Sequence, residues 1–254
     1  MRHPEWLVPE WAAAGVGALM TTRAGGVSSA PFDRLNLRAA VGDDPLAVWQ
    51  NQRIVEQAIG ATPVYLNQVH GRGVVRVTAA DALPGAPVRD ADASVTTEPG
   101  IACTVQVADC LPVLFAAPGG RAVGAAHAGW RGLALGVLAA TVQAVCEAAA
   151  CEPGELKAWL GACIGPAQFE VGADVLEAFG AGPGSPHFRP RAPGKWLADL
   201  PALGRDRLQA AGVREISGGG WCTVSDPSRF FSFRRDRVTG RMAALVWIER
   251  SPLG

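Results

Sequence analysis

The stretch "IACTVQVADCLPVLFAAPGGRAVGAAHAGWRG", residues 101–132, decides how this chain folds. It holds three short apolar runs, "IACTVQVAD", "LPVLFAA" and "AVGAAHAG". Each is bounded by Asp, Pro or Gly, the punctuation that separates strands. Residues 132–150 follow at once, rich in alanine, leucine and valine and long enough for a helix. Strand after strand, then a helix, is the signature of a sheet covered on one face.

Working outward, "VGALMTTR" (16–23) reads as a strand ending in the turn "AGGVSS". "DPLAVWQNQRIVEQAIG" (44–60) reads as a helix. Asp44 caps it, Pro45 takes its first position and Gly60 ends it, with Leu46, Trp49, Ile54, Val55 and Ile59 as its apolar set. "VYLNQVH" (64–70) and "GVVRVTA" (73–79) are expected strands around a glycine turn, and "ASVTT" (93–97) is another. "ELKAWLGACIG" (155–165) is a buried strand running into a loop, and "MAALVWIER" (242–250) is the closing strand. "GADVLEAFG" (172–180) and "LADLPALGRDRLQAAG" (197–212) are helices, and the Gly/Pro-dense "GAGPGSPHFRPRAPG" (180–194) reads as a loop. The expected fold is α/β with mixed sheets, the helices covering the strands. One domain over residues 1–254 is expected, since neither a repeat nor a clear linker interrupts the chain.

Composition narrows the function classes. The 254 residues are 49% hydrophobic and 18% charged, enough to bury a core without a disulfide or structural metal. Lys plus Arg and Asp plus Glu both count 23, so a broad basic footprint for nucleic acid is not expected. Only Lys157 and Lys195 are lysines. The positive charge is therefore arginine, a planar fork suited to phosphate or carboxylate. "MRHPEWLVPEW" lacks the apolar core of a signal peptide, and no uninterrupted apolar run is long enough to span a membrane. A cytoplasmic protein is expected. G-x-G-x-x-G between strand and helix is missing, as is a Walker loop, which removes the main support for dinucleotide binding or NTP hydrolysis.

Four histidines limit the chemistry. His3 lies at the terminus and His187 in the Gly/Pro loop, whereas His70 and His127 fall where β runs give way to turns. Cys110 falls at such a place too. One thiolate and two imidazoles can hold zinc with a fourth position open. The gaps between the three match no short zinc-finger spacing, so two hydrogen-bonded histidines beside a buried thiol fit the spacing equally. So does Cys110 as a nucleophile with His127 or His70 as its base. Arg23, Arg131, Arg234 and Arg235 stand near these turns as candidate anion clamps, and the start of the helix after "HAGWRG" offers amides to an anion.

The strings "TTRAGGVS", "LNLRAAVGDDPLAVWQNQ", "NQVHG", "DADASVT", "VQVADCLPVLF", "HAGWRG", "GACIGPAQFEVG" and "CTVSDPSRFFSFRRDRVTGRMAALVWI" together resemble the YfiH-like family. That family has carried laccase-domain or polyphenol oxidase labels and is described as purine nucleoside phosphorylases. The resemblance runs from about residue 20 to 249. It implies one α/β domain with sheets packed between helices, an α/β/β/α-like layering. It also implies a metal held by His70, Cys110 and His127, zinc in the first place, with copper also associated with the family. The implied activity is phosphorolysis of adenosine, inosine, guanosine and 5'-methylthioadenosine, with adenosine deamination beside it. Nucleoside and phosphate are then the partners, and a monomer or weak homo-oligomer is expected.

Under this reading Arg23 and Arg131 would hold phosphate, and Asp109 or Gln68 would clamp the leaving base. Ala167, Gln168 and Ser225 depart from the family's usual pattern and bear on substrate preference. A multicopper oxidase would need about ten imidazole ligands, which four histidines cannot supply. A single-copper polyphenol oxidase, a Cys110–His hydrolase acting on an amide such as a cell-wall precursor, and a non-catalytic binding protein are the competing readings.

Overall fold

A computed structural model describes residues 2–182 and 184–250. Thirteen strands and six α-helices follow one another in these residues. The first part runs β1 (Val16–Met20), α1 (Pro45–Ile59), β2 (Thr62–Val64), β3 (Val74–Arg76), β4 (Ala93–Thr96), β5 (Ile101–Val107), β6 (Leu111–Ala116) and β7 (Val123–Ala128). Then come α2 (Trp130–Ala134), α3 (Val137–Ala149), β8 (Lys157–Leu160), β9 (Glu170–Val171), α4 (Ala173–Ala178), β10 (Phe188–Ala192) and β11 (Lys195–Ala198). α5 (Leu200–Ala210), β12 (Glu215–Gly218), α6 (Phe233–Asp236) and β13 (Met242–Ile248) complete the order.

Alternation along the strands sets the layers, because successive side chains point to opposite faces. In β6, Leu111, Val113 and Phe115 join the core under α3 and α5, while Leu114 joins the core between the two large sheets. In β13, Met242, Ala244 and Val246 face that same intersheet core, and Ala243, Leu245 and Trp247 face α1. The six-stranded sheet, ordered β12-β8-β6-β7-β4-β3, therefore lies against the four-stranded sheet β1-β13-β5-β2. Helices cover both outer faces, giving the α/β/β/α layering that the resemblance implies. Gly124 in β7 lets α3 sit close, since a Cβ there would lie 2.8 Å from Val145 Cγ2. Among the described residues, no helix is long and apolar enough to cross a membrane.

Four local expectations are corrected. The helix expected over 132–150 starts at Trp130 and breaks in two at Gly136, whose φ of +90° interrupts the helix. The strand expected over 64–70 stops at Val64; beyond it the Gln68 side-chain amide, not the backbone, pairs with β5 through Gln106. The Gly/Pro loop contains β10, which pairs with β11 through a turn at Pro193–Gly194. Pro190 is tolerated because β10 is an edge strand with an irregular register. Leu46 and Trp49 of α1 point outward, 70% and 59% exposed, and the inward face is Val48, Asn51, Val55 and Ile59. Asn51 is inside because its amide ties down the 27–36 segment through Val27, Ser28 and Asn36.

Candidate active site with a thiolate and two imidazoles

Three chain segments converge at one end of the six-stranded sheet. β7 carries His127 across from Pro112 of β6. The turn between β5 and β6 carries Cys110, and the loop after Val64 carries His70 in a left-handed conformation, φ +59°. The imidazole nitrogens and the thiol sulfur lie within 4.8 Å of one another, with Cys110 Sγ 3.9 Å from His70 Nε2. The two rings meet edge to face, centroids 4.8 Å apart. His127 is buried, Cys110 half-buried and His70 exposed, so the cluster opens to solvent on the His70 side.

Asp92, fully buried at the foot of β4, organises the cluster. Its Oδ1 faces His127 Nδ1 at 2.8 Å and accepts the His70 amide at 2.9 Å, while Oδ2 accepts the Gly71 amide at 2.6 Å. One carboxylate thus orients the ring of one histidine, turning Nε2 toward Cys110, and fixes the backbone of the other. Burial opposes the charge on Asp92, but the hydrogen bonds from His127, Gly71 and His70 outweigh it and hold the carboxyl below its usual range. Burial likewise opposes the Cys110 thiolate. The two imidazoles reverse that and bring the thiol down to about 6. His127, with Cys110 and Asp92 on its two nitrogens, is pushed up to about 9 against its burial.

The glycines of "HAGWRG" make this convergence possible. A Cβ on Gly129 would lie 2.9 Å from His70 Cδ2 and 3.1 Å from Cys110 Sγ. A Cβ on Gly132 would lie 2.6 Å from the Gly71 carbonyl. Either side chain would push the His70 loop away from the other two segments.

Two chambers meet at the cluster, sharing His70, Ala108, Cys110 and Phe233. The first, about 390 Å³, is lined by Arg38, Arg241, Gln68, Gln106 and His127, with no acidic residue. Burial and the neighbouring Arg38 both push the Arg241 guanidinium below its usual range, a repulsion that a bound anion would relieve. The second, about 300 Å³, is walled by Trp130, Phe169 and Phe233 and carries Arg131, Arg234, Arg237 and Asp109. Arg131 lies over Trp130 at 4.3 Å and Arg234 over Phe169 at 5.4 Å.

The residues singled out in the sequence divide accordingly. His70, Cys110 and His127 come together, and Asp109, Arg131 and Arg234 line the aromatic chamber. Gln68 reaches the arginine chamber, but both ends of its amide are used on the Gln106 backbone, at 2.8 and 2.7 Å. Arg23 lies on neither chamber; it is paired with Asp33 at 3.1 Å and bonded to the Asp33 and Pro227 carbonyls. Arg235 also lies on neither chamber and spends its guanidinium on Asp236 and the Thr223, Val224 and Phe230 carbonyls. The amides ahead of α2 are not a separate anion site, because that helix is a single short turn whose start packs on the cluster. Sequence reading missed Asp92, Arg38, Arg241 and Phe233. The signal for Asp92 was present, a carboxylate just before a strand inside "DADASVT".

The layering and the thiolate–imidazole cluster define an α/β protein built around a candidate metal centre. A family described as "Multi-copper polyphenol oxidoreductase laccase" matches residues 17–249. A purine nucleoside phosphorylase of Pseudomonas aeruginosa is 51% identical over 249 residues, covering 96% of this chain and 98% of that one. The purine nucleoside phosphorylase YfiH of Escherichia coli is 46% identical over 247 residues, covering 95% and 98%. The crystal structure of YlmD from Geobacillus stearothermophilus superposes with a TM-score of 0.91 at 34% identity, covering 98% of each chain. A Neisseria meningitidis protein does so with 0.89 at 47% identity, covering 97% of this chain and all of the other. The chain belongs to the YfiH family. Among the described residues, the His70–Cys110–His127 group is the one cluster with three such ligands.

Proposed function

We propose that the chain phosphorolyses purine nucleosides at the His70–Cys110–His127 cluster, with a zinc ion held by these three side chains. The donor set fits zinc: one thiolate, two imidazoles and an open side toward solvent. Asp92 supplies the outer support that a metal-bound histidine needs. The observation that carries the reading is the meeting of an acid-free arginine chamber and an aromatic chamber at that cluster. Phosphate suits the first and a flat purine the second. When bound, the cation would act as a Lewis acid toward an oxygen in the site.

The protein's own groups do the rest. Arg38 and Arg241 hold and orient phosphate, and Trp130, Phe169 and Phe233 face the base and exclude water. A phosphate oxygen attacks the anomeric carbon, and the carbon–nitrogen bond breaks with its electron pair leaving on the purine. Asp109 already accepts from the Thr223 hydroxyl and the Arg234 amide. Its remaining lone pairs can take a purine N–H. Adenosine, inosine, guanosine and 5'-methylthioadenosine are the proposed substrates, with adenosine deamination as a side activity of the same site. Zinc-loaded protein should release adenine and ribose 1-phosphate from adenosine only when phosphate is present, followed by chromatography. A His127→Ala variant with full turnover would remove the site assignment.

The closeness of Cys110 and His127, which lowers the thiol and raises the imidazole, favours one second reading, a metal-free cysteine hydrolase. Turnover that survives a chelator but not a thiol alkylator would select it.

A further inference from the structure

An open surface cavity of about 620 Å³ lies at the C-terminal end of α3, and two cysteines line it. Cys146 and Cys151 are brought together by the way the helix stops. Ala150 is left-handed, φ +49°, and the Ala150 and Cys151 amides both donate to the Cys146 carbonyl. This helix stop runs through a left-handed residue and has the 6→1 bond of the Schellman type, which turns the fourth-last helical residue and the second residue past the end toward each other. Here both are thiols, and neither is in a disulfide. Both are half-buried and open to the cavity.

Charged side chains surround the pair. Glu147, Glu152 and Glu155 line the same cavity. Glu152 and Glu155 are fixed by a reciprocal cap on the following turn, and Glu147 is held by Gln143. Arg121 lies close to the pair, bonded to the Ala150 carbonyl.

We propose that Cys146 and Cys151 form a second metal site, distinct from the His70–Cys110–His127 cluster, that takes a soft monovalent cation of the Cu(I) type between two thiolates. Soft thiolates select Cu(I), and two sulfurs suffice for it, whereas zinc wants four ligands. Among the described residues no third nitrogen, sulfur or carboxylate ligand closes on the pair, so the site suits a two-coordinate ion. Burial, the partner thiol and the glutamates all push Cys146 up, to about 12, so the empty pair stays protonated. Binding exchanges two S–H protons for two sulfur–metal bonds, and no electron moves. The two-thiolate complex carries one net negative charge, and Arg121 beside Cys151 helps to offset it against the nearby carboxylates.

The test is an anaerobic titration of the zinc-loaded protein with Cu(I) held by bicinchoninate. The wild type should strip a single equivalent of Cu(I) that the Cys146→Ser/Cys151→Ser variant cannot strip. Zinc content and nucleoside turnover should be the same in both, which also shows that the variant is folded. Cys151→Ser alone should lose the same step, and Cys222→Ser should keep it. X-ray absorption of the copper-loaded wild type should show a sulfur-only shell of two neighbours. Equal copper uptake by wild type and double variant, nitrogen in the copper shell, or zinc released as copper enters would overturn the proposal. The readout does not depend on phosphorolysis, so failure of the catalytic reading leaves it standing.

Discussion

The two chambers beside His70, Cys110 and His127 differ in their walls: one has no acid and a single Phe ring, the other has Asp109 and three Phe or Trp rings. On one side Arg38 and Arg241 line a half-closed space with no acid in its wall and repel one another, although Arg241 also lies over Phe233 and bonds the Thr239 and Gly240 carbonyls. On the other, each arginine lies over a ring, Arg131 on Trp130, Arg234 on Phe169 and Arg237 on Phe233. An uncompensated charge waits for an anion, whereas a charge spread over an aromatic face leaves a flat apolar wall for a planar ligand. The cluster joins the two, and Phe233 belongs to both walls.

The largest expected effects come from breaking the junction. His127→Ala and Cys110→Ser should each abolish both metal retention and phosphorolysis, measured by metal analysis of the purified protein and by product release. Asp92→Asn is the sharper cut. It keeps the volume but removes the charge that fixes His127 and the His70 and Gly71 amides. Loss of such an outer partner costs roughly 10–100-fold in metal affinity. A competitive chelator titration should show that loss, and an unchanged affinity would mean that Asp92 only braces the loop.

Next come the walls. Charge-assisted hydrogen bonds are worth about 1.5–3 kcal/mol, so Arg241→Met should raise the phosphate KM roughly 10- to 100-fold with little change for the nucleoside. Stacking of a base on a ring is worth about 1–3 kcal/mol, so Phe233→Ala should raise the nucleoside KM with a smaller effect on phosphate. Two-substrate steady-state kinetics read both. If Arg241→Met instead weakened nucleoside alone, the assignment of the chambers would have to be exchanged.

How far the sequence alone reached follows from the range of each signal. Capping and stop signals are local, so α1 was legible from Asp44, Pro45 and Gly60, and β5, β6 and β7 from short apolar runs between turns. His70 and Cys110, 40 residues apart, were legible because few residue types can hold a metal and each sits beside a turn. Asp92 was not, because its role depends on β4 pairing with β7, which sets Ala93 opposite Ala126 and brings the carboxylate to His127. Arg38 and Arg241 meet only because the Leu37 amide bonds the Arg241 carbonyl and the Arg241 amide bonds Asn36. No local pattern announces such a pairing. Leu46 and Trp49 misled for a related reason: the α1 face that packs inward joins Val48, Val55 and Ile59 to the polar Asn51, whose partners lie far away in sequence.

Arg23 gives the smallest effect and the cleanest control on the comparison. By sequence it was as good a phosphate clamp as any arginine here, following a strand and preceding a glycine turn. Its guanidinium is instead spent on the Asp33 carboxylate and on two carbonyls, and it lies over Phe231 rather than over the cluster. Asp33 is 46% exposed, and an exposed pair of this kind contributes about 1 kcal/mol or less. Arg23→Gln should therefore lower Tm by roughly 2–4 °C for a chain of this size. The phosphate and nucleoside KM values should both stay at the wild-type level. A selective rise in phosphate KM in that variant would show that the anion's path extends to the Arg23 side, and that the acid-free chamber at Arg38 and Arg241 is only its inner end.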